Sequence, residues 1–391
     1  MAKQQDGYLS AKESRRISKE NRRITDQYEK QRKRKNVPES EYLTQMKNPE
    51  NAVEFDNLHT YFFTDTGVVK SVDGVSFEVP VGKTVGVVGE SGCGKSVTSL
   101  SLMQLLQRPQ GQIVQGEIRL NLGNGKAYDV AKTPGTVMQH LRGNYISMIF
   151  QEPMTSLNPV FRIGAQIDEV IALHDGEGKS KEDIKKRTVE MLEMVGIANS
   201  QGVYEMYPHE LSGGMRQRVM IAMALACEPD ILIADEPTTA LDVTIQAQIL
   251  ELMQELQKKM GMAIIMVTHD LGVIADMCDE IIVMYGGRVC ERGTADAIFY
   301  DPRHEYTKGL LRSIPSVSRM KERLVPIGGT PINLLNMPKG CAFCARCDKA
   351  MKICLDTVPE ELRVGETHLA SCWMNVKAQY EAENGGISNE Q

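Results

Sequence analysis

From Val53 onward the chain alternates between short apolar runs rich in β-branched and aromatic residues and longer stretches with helical spacing. The runs VEFDNLHTYFF (53–63), VVKSVDGVSFEV (68–79) and TVGVV (84–88) predict strands, and the last leads through a glycine-rich turn into the apolar helical stretch SVTSLSLMQLL (96–106). ISMIF (146–150) predicts a further strand that ends at Gln151. Between about 152 and 225 the spacing becomes mostly helical, with KEDIKKRTVEMLEMVGI (181–197) the clearest amphipathic piece. Strands return as ILIAD (231–235) and AIIMV (263–267), separated by a helix over roughly 242–260, an order that suits crossover connections in a largely parallel sheet.

The pattern therefore predicts an α/β phosphate-binding core: a mostly parallel sheet with flanking helices, an antiparallel β edge and a helical insertion. The boundaries follow as an N-terminal extension over 1–50, a core over 51–300 with the helical insertion at about 152–225, and a C-terminal extension over 301–391 opened by Asp301-Pro302. The terminal AENGGISNEQ has the composition of a disordered tail.

Charge changes the picture at the N-terminus. Residues 1–48 hold 13 Lys or Arg against 7 Asp or Glu, a net +6, which leaves −12 for the remainder of a chain whose total is −6. Ile17, Ile24 and Tyr28 recur at helical spacing behind a capping-box pattern, Ser10 to Glu13, so the extension reads as a solvated helix. Contact with membrane subunits or anionic lipid headgroups is the sharper reading of the same residues.

With 42% apolar and 25% charged residues the composition is that of an ordinary globular protein, which excludes fibrous or wholly disordered classes. No stretch approaches about 18 uninterrupted apolar residues and the N-terminus lacks a signal-peptide core, so the expectation is a cytosolic chain that meets a membrane only through partners. Nine cysteines divide unevenly: Cys93, Cys227, Cys278 and Cys290 are scattered, while Cys341, Cys344, Cys347, Cys354 and Cys372 gather near the end. In a cytosolic setting such a cluster reads as metal ligands before disulfides.

Two motifs carry the chemistry. Gly89-Glu90-Ser91-Gly92-Cys93-Gly94-Lys95-Ser96 fits G-x-x-x-x-G-K-[ST] between a strand and a helix, the context in which glycine amides curl round phosphate oxygens and a helix N-terminus adds a favourable dipole. Lys95 is expected to reach the β- and γ-phosphates and Ser96 to hold Mg2+, with Cys93 offering its amide rather than a nucleophile. The strand Ile231-Leu232-Ile233-Ala234-Asp235-Glu236 ends in two acids, Asp235 to orient Mg2+ and Glu236 to polarise the attacking water as general base.

Leu211-Ser212-Gly213-Gly214-Met215-Arg216-Gln217 then resembles the signature motif of ABC ATPases. The resemblance covers about residues 53–375. It implies that Ser212, Gly213 and Gly214 meet the γ-phosphate of ATP held by a facing subunit, so that ATP joins a dimer. It further implies that Gln151 is the Q-loop residue contacting Mg2+ and water, that His269 is the switch histidine on the γ-phosphate, and that Ala240-Leu241-Asp242 is the D-loop at the dimer interface. Phe62, or alternatively Tyr61, sits where the family places an aromatic ring on adenine.

Phe150-Gln151-Glu152-Pro153-Met154-Thr155-Ser156-Leu157-Asn158-Pro159 and, after Pro338, Gly340-Cys341 with Phe343 and Arg346-Cys347 resemble the oligopeptide, dipeptide and nickel importer branch. That branch implies a [4Fe-4S] cluster on Cys341, Cys347, Cys354 and Cys372. Four thiolates suit zinc equally, and Cys344, not usual in the branch, is either a spare thiol or a replacement ligand. The expected partners are a second ATPase subunit, two transmembrane permease subunits and an extracytoplasmic substrate-binding protein, with no nucleic acid. The expected role is ATP hydrolysis driving import of oligopeptides or dipeptides from the cytoplasmic face of the membrane. Nickel or another small solute is the alternative cargo, and a soluble ABC protein acting on ribosomes or nucleic acid is the rival from another class.

Overall fold

The computed structural model describes residues 10–123, 125–151, 156–174, 178–239, 241–313 and 326–383. Its strands are β1 (Leu43–Thr44), β2 (Asn51–Phe63), β3 (Val68–Pro80), β4 (Thr84–Val88), β5 (Gly111–Asn121), β6 (Ala127–Asp129), β7 (Ile146–Ile149), β8 (Ile231–Asp235), β9 (Ala263–Thr268), β10 (Glu280–Tyr285), β11 (Arg288–Thr294), β12 (Leu362–Arg363) and β13 (Leu369–Ala370). They form two sheets.

The larger sheet has the order β12-β13-β11-β10-β4-β9-β8-β7. Its core, β10-β4-β9-β8-β7, is parallel, and the β11, β13 and β12 edge is antiparallel. Every residue of β4, β8 and β9 is buried, which explains why these strands read as unbroken apolar runs: both faces of a parallel sheet are covered. Alternate residues serve different layers. Ile231, Ile233, Ile265 and Val267 meet the second sheet, while Leu232, Ala234, Ile264 and Met266 meet the helical layer.

The second sheet, β1-β6-β5-β2-β3, is wholly antiparallel. In β3 the buried positions Val75, Phe77 and Val79 alternate with more exposed ones, the pattern of a sheet packed on one face, and Phe77 stacks on Phe55 at 4.4 Å. The helical layer comprises Ile163–His174, Lys181–Met194, Ser200–Glu205 and Gly213–Leu225. Of the expected features here, Glu152, Pro153, Met154, Thr155, Ala240 and the tail from 384 lie outside the described residues.

Two expectations change. The N-terminal helix, Ala11–Arg32, has the capping box between Ser10 and Glu13. It is docked rather than solvated, because Asn21, Thr25 and Glu29 are buried and Ile17, Ile24 and Tyr28 are half-buried along the same face. Its anchors are polar: Asn21 donates to the Thr64 carbonyl at 2.6 Å, and Glu29 accepts from Gln112 at 3.1 Å and faces Arg108. An apolar-period reading finds this helix but not its docking, which polar side chains provide. At the other end, the segment after Asp301-Pro302 returns to the core. β13 pairs with β11, and buried Glu291 accepts from the His304 amide and the His368 ring, both at 2.8 Å. Two-residue strands leave no periodic signal to read.

Candidate active site

The phosphate-binding loop, Gln151, the two acids and His269 stand where buried strands of the large sheet end. β4 stops at Val88 and the chain turns through Gly89, Gly92 and Gly94, all at positive φ, into the helix Lys95–Leu102. The turn is tight enough that a Cβ on Gly94 would lie 2.2 Å from the Ser71 carbonyl, and one on Gly89 equally close to the Met284 carbonyl. Glycine is required at both positions. Lys95 is buried, and its ammonium folds back to donate to the Gly89 carbonyl at 2.7 Å and the Glu90 carbonyl at 3.2 Å. Ser91 opens the exposed stretch of the turn, and Cys93 is buried with its thiol pushed up by burial.

The adjacent parallel strands deliver the acids. Asp235, the last residue of β8, accepts from the Ser96 hydroxyl at 3.1 Å, and burial raises its carboxyl above the ordinary range. Glu236 follows with φ 49°, a left-handed backbone uncommon outside glycine and asparagine, and its amide donates to the Val267 carbonyl at 2.7 Å. The strained turn reverses the direction of its side chain, where three donors collect: Gln151 Nε2 at 2.8 Å, Thr239 Oγ1 at 3.0 Å and the His269 ring at 3.1 Å. Burial alone would raise this carboxyl, but the bonds from His269, Thr239 and Gln151 hold it below the usual carboxylate range. A carboxylate kept ionised beside an open face is equipped to orient and polarise a water molecule. Thr239 was missed in the sequence, where it is one of several threonines without a distinguishing pattern.

The structure thus brings together Lys95, Ser96, Gln151, Asp235, Glu236 and His269. None of these bonds involves Ser212, Gly213 or Gly214. Ser212 and Gly213 are exposed at the start of the helix Gly213–Leu225, where Ser212 accepts from the Met215 amide. A Cβ on Gly214 would meet Ile245 at 2.9 Å. Asp242 caps the helix Val243–Met260 by accepting from the Ile245 amide at 3.0 Å. A second apparatus of exposed glycine amides therefore stands apart from the first.

Of the two aromatic candidates, Tyr61 is committed to its neighbours: its hydroxyl donates to Asp73 at 2.6 Å, and Asp73 is also held by Arg288. Phe62 is half-buried against Gly111 and pairs with Val69, next to the Lys70–Ser71 segment that abuts Gly94.

The five late cysteines converge. Cys341, Cys344, Cys347, Cys354 and Cys372 line one cavity of about 20 Å3, together with His304, Phe343 and Trp373. Burial, with neighbouring thiols as a lesser cause, raises Cys341 to about 12 and also raises Cys344, Cys347 and Cys372. The donor set matches a thiophilic metal in kind, but the present spacing does not. Among the described residues no group of three or more His, Cys, Asp or Glu stands in metal-holding geometry, and the cavity has room for about one water-sized occupant.

Sequence comparison agrees with this geometry. The ABC transporter family profile matches residues 72–239, and the profile for the oligopeptide/dipeptide transporter C-terminal region matches residues 290–354. An oligopeptide transport ATP-binding protein, OppD of Bacillus subtilis, is 52% identical over 323 residues, covering 82% of this chain and 88% of the relative. The chain belongs to the ABC transporter ATP-binding subunits, in their oligopeptide/dipeptide branch. As a member of that family it is an ATPase. The dipeptide transport ATP-binding protein DppD of Lactococcus lactis is 48% identical, covering 83% of this chain and 91% of the relative. Among solved structures, the dimeric post-hydrolysis ATP-binding cassette MJ0796 with ADP and Pi aligns at TM-score 0.55 and 26% identity, covering 62% of this chain and 98% of that one. The cassette cbiO1 of Clostridium perfringens aligns at 0.54 with the same identity, covering 64% and 92%.

Proposed function

We propose that this subunit hydrolyses MgATP to power import of oligopeptides or dipeptides, working from the cytoplasmic face of the membrane. The observation that carries the reading is the Glu236 carboxylate, ionised and held by Gln151, Thr239 and His269 beside the phosphate-binding loop. In this reading the amides of Gly89 to Ser96 cradle the phosphates, Lys95 exchanges its loop carbonyls for phosphate oxygens, and Phe62 stacks on adenine. Ser96, Asp235 and Gln151 are oxygen donors suited to Mg2+, which supplies charge neutralisation on the phosphates. Glu236 takes the proton of the attacking water, and His269 steadies the γ-phosphate.

The exposed signature residues Ser212 and Gly213, with half-buried Gly214 behind them and Asp242, face a second ATPase subunit and complete its ATP site. The MJ0796 cassette, whose structure is dimeric, supports this arrangement. Phe150, which precedes Gln151, and Val160 and Phe161 after it are exposed apolar side chains for contact with the membrane subunits, two permeases fed by an extracytoplasmic substrate-binding protein. Among the described residues no helix is long and apolar enough to cross a membrane, so attachment in this reading is through those partners. The chain is read as an extension over 1–50, an ATPase unit over 51–300 and a cysteine-bearing unit over 301–391. The latter offers the thiols Cys341, Cys347, Cys354 and Cys372 as the donor set of a [4Fe-4S] cluster, with zinc as the alternative, although their present spacing fits neither.

Uptake of labelled di- and oligopeptides by cells carrying the complete transporter tests the assignment. Uptake should cease with Glu236→Gln while transporter assembly persists. Nickel uptake lost in the same variant, with peptide uptake unaffected, would replace the cargo.

A further inference from the structure

Among the described residues the cysteine-bearing unit reaches the phosphate-binding loop through the side chains of Tyr306 and Arg346, and the charged contact is that of Arg346. Arg346 belongs to the short 3-10 turn Cys344–Arg346, with a thiol on either side of it at Cys344 and Cys347. Its side chain is only 5% exposed, and it forms a two-pronged ion pair with Glu90, the second residue of the loop: Nη1 to Oε2 at 2.6 Å and Nη2 to Oε1 at 2.9 Å. The remaining donors are also used. Nη1 reaches the Tyr285 hydroxyl at 3.2 Å, Nε the Gly328 carbonyl at 2.8 Å and Nη2 the Ile327 carbonyl at 3.3 Å. All five guanidinium N–H groups thus have an acceptor, which fixes the plane of the fork and with it the carboxylate it grips.

Glu90 is held elsewhere too. Its amide donates to the Tyr306 hydroxyl at 2.8 Å, and its carbonyl accepts from Lys95 Nζ at 3.2 Å. One residue of the loop is therefore gripped through its side chain by the turn at 344–346 and through its carbonyl by the lysine that must leave it to meet a phosphate. An Arg fork defines both distance and orientation, whereas water would leave this carboxylate free to rotate. Holding the loop in its phosphate-ready shape before nucleotide arrives removes an ordering cost from binding.

We infer that Arg346 is a positioning residue of the ATP site, and that through Glu90 the cysteine-bearing turn sets the affinity of the phosphate-binding loop for ATP. The inference rests on the loop being the ATP site. It gives the C-terminal unit a role in the ATPase cycle besides any metal it holds. Coupling is reciprocal, so ATP on the loop in turn steadies residues 341–350.

The test is a double-mutant cycle on the full chain, with Glu90→Gln, Arg346→Gln and both together, read by titration with a fluorescent ATP analogue and by amide exchange of residues 341–350. Each single variant should bind ATP about tenfold more weakly, within the usual range of coupling between sites. KM should rise much more than kcat falls, and the double variant should be no worse than either single one. ATP should slow exchange at 341–350 in the parent but not in Arg346→Gln. Arg346→Lys, which keeps the charge and loses the fork, should recover only part of the affinity. Glu90→Gln leaves the Tyr285, Gly328 and Ile327 bonds of Arg346 in place, so it isolates the link from the stability of the turn, and melting curves confirm folding. Parent-like affinity in both folded single variants, or additive losses in the double, would overturn the linkage while the ATP site stands. A folded parent that binds no ATP would remove the site and the linkage together.

Discussion

Gln151 donates to Glu236 at 2.8 Å, joining the end of β7 to the end of β8 across the open edge of the ATP site. A residue just past the outermost parallel strand is thereby tied to the carboxylate that the proposed mechanism uses to activate water. In the proposed mechanism, displacement of Gln151 alters the hydrogen bonding of the Glu236 carboxylate directly.

Replacement of Glu236 by Gln removes the proposed base and keeps the side chain's size. Phosphate release should fall roughly a hundredfold or more, the usual contribution of a general base, while ATP binding persists. Steady-state phosphate assays beside nucleotide titration measure both. Hydrolysis at parental rate would move the base elsewhere.

Asp73 gives the fold a measurable acid limit. Burial opposes its charge, but the bonds from Tyr61 and Arg288 prevail and lower its carboxyl to about 2. A folded value below the ordinary 3.8 means stability that is complete above about pH 4 and lost as pH falls toward 2, on the order of 2 kcal/mol. Unfolding curves of the parent and Asp73→Asn should therefore differ by a constant amount at neutral pH and converge below about pH 4.

Gly94→Ala tests the geometry of the loop. The added carbon would stand 2.2 Å from a backbone oxygen at Ser71, with no flexible side chain to yield. A loss of about 2 kcal/mol or more in stability is expected, together with loss of nucleotide binding, since the residue is also held at φ 107°. Thermal melting and ATP titration on one preparation decide it.

Anaerobic purification followed by iron, sulfide and zinc analysis addresses the cysteine cavity. About four irons and four sulfides per chain, lost in Cys347→Ser, is the expected result for a cubane cluster. One zinc without sulfide would select the alternative, and a metal-free, active chain would remove both.

The parallel core was legible because its strands are buried on both faces and announce themselves as apolar runs; ILIAD and AIIMV locate β8 and β9 to within a residue. The phosphate-binding loop was legible because its glycines are dictated by close backbone approach. What escaped is held by polar chemistry. β10 and β11 are the exception, apolar strands absent from the prediction although EIIVMY before Gly286-Gly287 is a hairpin signal. The docking of the N-terminal helix through Asn21 and Glu29, the convergence of Thr239 on Glu236 and the reach of Arg346 to Glu90 depend on residues brought together from distant parts of the chain. No local period encodes such meetings.

The antiparallel edge of the large sheet is completed by β13, whose Leu369 and Ala370 pair with Arg292 and Glu291. Order of synthesis and order of assembly are therefore different. β11 leaves the ribosome long before its partner, and the Glu291 carboxylate waits for the His368 ring that comes 77 residues later. A nascent chain that ends near residue 300 lacks β13, His368, Tyr306 and Arg346 together, so neither the sheet edge nor the support of the phosphate-binding loop is complete until the last segment arrives.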